Sequence, residues 1–301
     1  MPLVFVGRYL LRSSSVHRKS DSVNLNTPVT RNTNPRIIFP LTLDTFPIPK
    51  KKILITGAAG NLGRKLRRYL EGRYELRLLD IQSGGDASIL TADLARWDQR
   101  WVRHFRGSEV VVHLAADPSA HKRLDELVHP NVDALIHSFA AAAASGVKRI
   151  VYASSNHVMG GYKDDPKPTA ITTDLPARPG THYTAGGQQR NSTPYGSAKF
   201  MGERIGKAVA EIHGLSVIAV RIGWVRPGEN LAQDVPADRP WFNMMWISNR
   251  DFTHLMECCI EADPSIRFAV VNGMSANTGM RWDIEYTKKL VGYQPRDDVT
   301  A

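Results

Sequence analysis

The chain has 301 residues, 42% of them hydrophobic and 23% charged, a soluble composition large enough for one sizeable domain with a small appendage. No apolar run approaches the roughly 18 residues that span a bilayer, and the two cysteines, Cys258 and Cys259, are helix neighbours pointing in different directions. That argues against a membrane-spanning helix and a disulfide framework, and a reducing compartment such as the cytoplasm fits better. The net charge of +10 does not mark a nucleic-acid binder, because half of it comes from seven Lys/Arg set against Asp21 and Asp44 in residues 1–50.

Residues 1–49 are rich in Ser, Thr, Asn, Arg and Pro and carry no apolar periodicity. The opening MPLVFVGRYLLR lacks a charged leader and a small-residue cleavage site, so it is a poor secretory signal. We expect a disordered extension outside the fold.

Order begins at Lys50. Ile53, Leu54 and Ile55 form a short apolar strand, glycines follow at 57, 60 and 63, and Leu62, Leu66 and Leu70 line one face of a helix. Such a strand–turn–helix unit suits a dinucleotide diphosphate. Gly57 permits the tight turn, Gly60 admits the phosphates to the backbone N–H groups, and Gly63 lets helix and strand approach. Asn61 and Leu62 open the helix at this cradle. A second strand, YELRLLD, ends in Asp80, seventeen residues past Gly63. A carboxylate there accepts from both adenosine ribose hydroxyls and repels a 2′-phosphate, which predicts NAD over NADP, with Arg64 the residue able to reverse that preference.

The alternation continues. ILTADLARWDQRWVRHF reads as a strand and a helix, with Asp93 and Leu94 at an adenine-binding junction. EVVVHLAAD is a buried strand whose end, Leu114, Ala115 and Ala116, faces the cofactor crevice. A helix over about 131–145, a strand at 149–155, a long loop, a helix from about 195 and a final strand at 216–223 complete a doubly wound parallel α/β sheet of Rossmann type. Residues 50–222 form the dinucleotide-binding domain, and 223–301 a small substrate-binding region. Loop 161–194 is long enough to be a functional lid, and its TAGGQQRNST portion looks like a mobile insertion.

Within TPYGSAK, Tyr195 and Lys199 are four apart, so a helix places them on one face about 5–6 Å apart at Cβ. An ammonium about 4 Å from a phenol, at an effective dielectric of about 20, contributes roughly 4 kcal/mol, at most about three pKa units of depression. Tyr183, the rival tyrosine, has Gly187 rather than a lysine at that spacing. A surface Tyr–Lys pair is the bland alternative.

Taken in order, TGAAGNLG, Asp80, ADL, HLAA, NVDALIHSF, VKRIVYASS, YGSAK and VRIG resemble the extended short-chain dehydrogenase/reductase superfamily, its NAD-dependent epimerase/dehydratase group. SSNHVMG, DLPARP, RDFTHLMECC, GMSANTGMRWD and VGYQPRDD make the chain most similar to uronate dehydrogenases and related enzymes acting on simple sugars. The resemblance implies that Tyr195 is the general base, that Lys199 supports it and binds the nicotinamide ribose, and that Ser155 holds the reacting oxygen. It also implies that Ile222 lines the cofactor, that Asn131 is a supporting helix asparagine, and that Ser119, Asn156 and His157 contact the sugar. Ser154 and Ser155 as mere strand caps, and His157 in a structural bond, are the alternatives. A carboxylate clamp is expected at Arg239 rather than Arg226, and a phosphate would suit the same site. The implied reaction oxidises the anomeric carbon of a uronic acid or aldose to a lactone with NAD. A sugar-phosphate dehydrogenase, an epimerase or dehydratase that retains its NAD, and a non-catalytic NAD sensor are the other readings. No metal is expected, and the superfamily's paired helix faces imply a homodimer.

Overall fold

The computed structural model describes residues 49–185, 187–236 and 240–300; the expected extension, apart from Pro49, lies outside them, as does Arg239. The chain from Ile48 onward is one compact unit. Its apolar runs become strand β1 (Lys52–Thr56), helix α1 (Asn61–Leu70), β2 (Glu75–Asp80) and β3 (Ile89–Thr91). The helix expected after β3 is only a single turn, α2 (Gln99–Val102), continued by a 3-10 turn to Phe105. Strand β4 (Val110–His113) leads to α3 (Leu124–Leu127), a π turn over Val128–Asp133 and α4 (Ala134–Ala144), then to β5 (Arg149–Ser155).

The stretch expected as loop holds 3-10 turns at Asn156–Tyr162 and an antiparallel hairpin, β6 (His182–Ala185) and β7 (Gln188–Asn191). The TAGGQQRNST portion runs from the end of β6 through β7, with Gly187 at a positive φ of +71°. The chain ends with α5 (Thr193–His213), β8 (Ser216–Ile222), α6 (Pro240–Met245), α7 (Asn249–Glu261), β9 (Phe268–Gly273) and α8 (Glu285–Val291).

Seven strands form one parallel sheet in the order β3-β2-β1-β4-β5-β8-β9, so β8 is not the last strand: β9 pairs beside it. Alternating side chains feed two cores. Ile53, Ile55, Val110 and Val112 pack with Leu66 and Leu70 of α1 and with Phe252 and Leu255 of α7. Leu54, Val111 and Ile150 face Leu135 and Phe139 of α4. Strands β4, β5 and β8 are buried at every position, as expected of a sheet covered on both faces. A third cluster, including Met159, Tyr162, Trp241, Met245 and Trp282, supports the carboxyl end of the sheet. The order in which successive strands are added reverses between β1 and β4, and a crevice lies at that switch point. Among the described residues no helix is long and apolar enough to cross a membrane.

Candidate active site

The glycine turn is built by close approach. Gly57 has φ +72°, and a Cβ there would lie 2.7 Å from the amide nitrogen of Ala115. At Gly63 a Cβ would lie 2.1 Å from the Gly57 carbonyl oxygen, so only glycine lets α1 start this near β1. Gly60 is the N-cap of α1 and offers no side-chain acceptor, and no acid occupies the first turn. The free N–H groups and the positive helix end are left for an anion.

Asp80 is 8% exposed at the end of β2. Its carboxylate accepts from the N–H of Ala59 at 2.9 Å and of Gln82 at 3.2 Å. A carboxylate has about four acceptor sites, so capacity remains for two ribose hydroxyls. It lines a recess of about 460 Å³ with Asp93, Leu94, Leu114, Ala115 and Ala116. That recess shares Gly57, Gly60, Leu114, Ala116 and Pro118 with a second, of about 370 Å³, lined also by Asn61, Leu62, Gly63, Ser155, Tyr195, Lys199 and Ile222. One continuous trough with a diphosphate cradle at its middle fits a dinucleotide.

Asn131 does not line the trough. Its side chain sits in the π turn, accepts from the Asp117 N–H at 2.7 Å and donates to the Asp117 carbonyl at 3.1 Å, which fixes the loop after β4. Asp117 in turn accepts from the Ser119 N–H and pairs with Lys122 at 2.6 Å. Pro118 and Ala120 line the substrate side of the crevice, whereas Ser119 between them does not.

Helix α5 delivers Tyr195 and Lys199. Pro194 sits in its first turn, where a missing N–H costs nothing. Gly196 lets it press on the exit of β5, since a Cβ there would lie 2.5 Å from the His157 carbonyl oxygen. The Tyr195 and His157 rings consequently meet edge to face, 5.5 Å apart. The Lys199 ammonium donates to the Ala153 carbonyl at 2.8 Å and lies 5.8 Å from the centre of the Tyr195 ring. Burial lowers the Lys199 pKa to about 8.

Tyr195 departs from the electrostatic expectation. Although its ring is partly exposed, the crowding of its phenol raises the pKa to about 12. The nearby Ser155 hydroxyl pulls it down and the Asp117 carboxylate pushes it up. The expected depression by Lys199 is therefore not produced by the protein's own groups: burial outweighs an ammonium engaged with a carbonyl. Burial likewise lowers His157 to about 4, so its imidazole is neutral near pH 7. Asn156 donates to the Ile222 carbonyl at 3.1 Å. Ser154 also borders the trough, and its hydroxyl donates to Glu203 at 2.6 Å.

Asn156, His157, Pro118 and Trp224 also line an adjoining pocket of about 500 Å³, walled by Trp241, Phe242 and Met245 and by Lys163, Thr181, Tyr183 and Thr184. Lys163, Thr181, Tyr183 and Thr184 belong to the loop that the sequence marks as a functional lid, whereas nothing in the sequence singles out Trp241, Phe242 and Met245, which are spaced like ordinary core residues. Arg226 does not line the pocket; its guanidinium pairs with Asp234 at 3.6 Å.

A model of the NAD dependent epimerase/dehydratase family matches residues 53–226. An NAD-dependent glucose-6-phosphate dehydrogenase of Haloferax volcanii is 34% identical over 259 residues, spanning 82% of this chain and 93% of that protein. A uronate dehydrogenase of Pseudomonas putida is 32% identical over 257 residues, spanning 83% and 85%. A solved structure of a mutant uronate dehydrogenase from Agrobacterium tumefaciens, complexed with NAD, superposes with a TM-score of 0.66 at 31% identity, covering 83% and 86% of the two chains.

Proposed function

The chain belongs to the NAD dependent epimerase/dehydratase family, as an NAD-dependent oxidoreductase of the extended short-chain type, and from that premise we propose that it oxidises a small sugar at its anomeric carbon to a lactone. The observation that carries this reading is the joining of two spaces. The trough bearing Gly57, Gly60, Gly63 and Asp80 runs past Tyr195, Lys199 and Ser155 toward an adjoining pocket bordered by Asn156 and His157.

In this reading NAD, when bound, supplies the carbon that accepts hydride and a positive charge beside the phenol. The α1 N-terminus holds its diphosphate, Asp80 the adenosine ribose, Asp93 and Leu94 the adenine edge, and Lys199 the nicotinamide ribose. Ser155 fixes the anomeric oxygen. Tyr195 takes the hydroxyl proton as the C1–H bond gives up its hydride and the lactone carbonyl forms, so protons and electrons balance. With a pKa of about 12, Tyr195 retains its proton at neutral pH until another cation lies beside it. Asn156 and neutral His157 orient the sugar hydroxyls.

The test is the absorbance of reduced nicotinamide with a panel of hexoses, hexuronic acids and sugar phosphates. Tyr195→Phe is expected to lower kcat by about 10²–10⁴ while NAD still binds in a fluorescence titration. Full turnover by that variant would remove Tyr195 from the role of base.

A further inference from the structure

Tyr152 stands on β5, is 2% exposed, and lines neither the trough nor the pocket. It nevertheless meets Lys199 at both ends. Its hydroxyl donates to the Lys199 backbone carbonyl at 3.3 Å, and its ring centre lies 5.4 Å from the Lys199 ammonium. Gly202, three residues along α5, permits this approach: a Cβ there would lie 2.3 Å from the Tyr152 hydroxyl oxygen. The Tyr152 ring is itself fixed by Phe139, edge to face at 5.8 Å, and by the His113 imidazole, stacked at 6.2 Å.

We propose that Tyr152 is a positioning residue for the reaction, its ring and hydroxyl holding the buried Lys199 ammonium in place and in its charged form beside Tyr195. This rests on the function proposed above and deepens it, because the residue acts on Tyr195 and the cofactor only through Lys199.

An ammonium costs far more to bury than a neutral amine, so Lys199, at 5% exposure, needs compensation to keep its proton. One of its three N–H bonds goes to the Ala153 carbonyl at 2.8 Å. The negative face of an aromatic ring attracts a cation within about 6 Å of its centre, most strongly where water is excluded. Tyr195 also brings its ring within reach, at 5.8 Å, but Tyr195 exchanges a proton in the reaction. Tyr152 stays neutral throughout, because burial pushes its phenol well above the ordinary 10. Of the other ionisable groups packed here, His113 on β4 is uncharged above about pH 3. Glu203, one turn along α5, is taken up by Arg221 and Ser154. Asp117, in the loop after β4, acts on Tyr195 and is paired with Lys122.

The experiment follows the side-chain ε-carbon NMR resonance of Lys199 against pH in the isotopically labelled full chain, assigned by its loss in Lys199→Met. The parent should titrate near pH 8. Tyr152→Leu should move the midpoint down by about one unit, and Tyr152→Phe, which keeps the ring, by less than about a third of a unit. Fluorinated phenylalanines placed at position 152 drain the negative face of the ring with little change of shape. Across mono-, di- and trifluoro substitution the midpoint should fall stepwise, a series that serves equally if the leucine variant does not fold. In turnover with NAD and a sugar, Tyr152→Leu should lower kcat/KM about fivefold at pH 8 and less than about twofold at pH 6, where Lys199 is charged in both proteins. A merely structural defect would lower it equally at both pH values.

A Lys199 midpoint unmoved across the fluorinated series, or a rate loss equal at pH 6 and pH 8, overturns the role of Tyr152. Failure of the parent to oxidise any sugar overturns the proposed function instead, and the NMR titration then still judges Tyr152 by itself.

Discussion

His113 ends β4 at 1% exposure, its Nδ1 2.9 Å from the Thr56 hydroxyl, with the Lys199 charge nearby. Burial first, and that charge second, lower its pKa from the ordinary 6.5 to about 3. The folded chain therefore refuses a proton that the unfolded chain accepts below pH 6.5. The stability this contributes is complete above pH 6.5 and is lost as pH falls toward 3, on the order of 3–5 kcal/mol. His157, lowered to about 4, acts in the same direction over a narrower window. Denaturant midpoints measured from pH 7 to pH 3 should fall through this range, and His113→Gln should flatten the fall. A midpoint constant between pH 6.5 and 4 would contradict a buried neutral imidazole. Spacing placed Tyr195 and Lys199 on one helix face, but it could not tell that the ammonium is spent on the Ala153 carbonyl while burial governs the phenol. Desolvation depends on everything that surrounds a group, and sequence neighbours are a small part of that.

Three elements are locked together by a buried polar knot. Glu203 of α5 accepts from Arg221 of β8 through two bonds of 2.9 Å and from Ser154 of β5 at 2.6 Å, with the Arg221 and Glu203 side chains 4% and 2% exposed. Breaking such a pair strands one charge in the interior. Arg221→Leu is expected to cost about 3–5 kcal/mol in urea unfolding, and the Arg221→Leu/Glu203→Leu double variant much less. Because α5 carries Tyr195 and Lys199, the single variant should also lower kcat. The reading of 195 onward as helix was correct to within two residues, since Ser192 and Pro194 mark its start. Ser154 was ambiguous between cap and site because its partner, Glu203, is 49 residues away. The hairpin β6–β7 was read as loop: with polar residues at most of its positions, it has little of the alternation that marks a half-buried strand.

The trough spans the switch between β1 and β4 and collects residues from the ends of β1, β2, β4, β5 and β8 together with α5. A ligand that occupies it binds only the folded chain. NAD at a hundredfold excess over its Kd should therefore add about 2.7 kcal/mol and raise the melting temperature by about 5–10 °C. Asp80→Ala should need more NAD for the same shift; a melting temperature indifferent to NAD would deny the trough its occupant.

Six of the sheet's seven strands, the glycine cradle, the acid at the end of β2 and the Tyr–Lys pair were determined by the sequence alone. Each obeys a short-range rule: apolar runs make buried strands, a backbone contact closer than a Cβ allows demands glycine, and a four-residue step keeps one helix face. Tertiary structure decided the rest: the high pKa of Tyr195 and the wall of Trp224, Trp241 and Phe242. These depend on which distant segments exclude water together, a property no local pattern encodes.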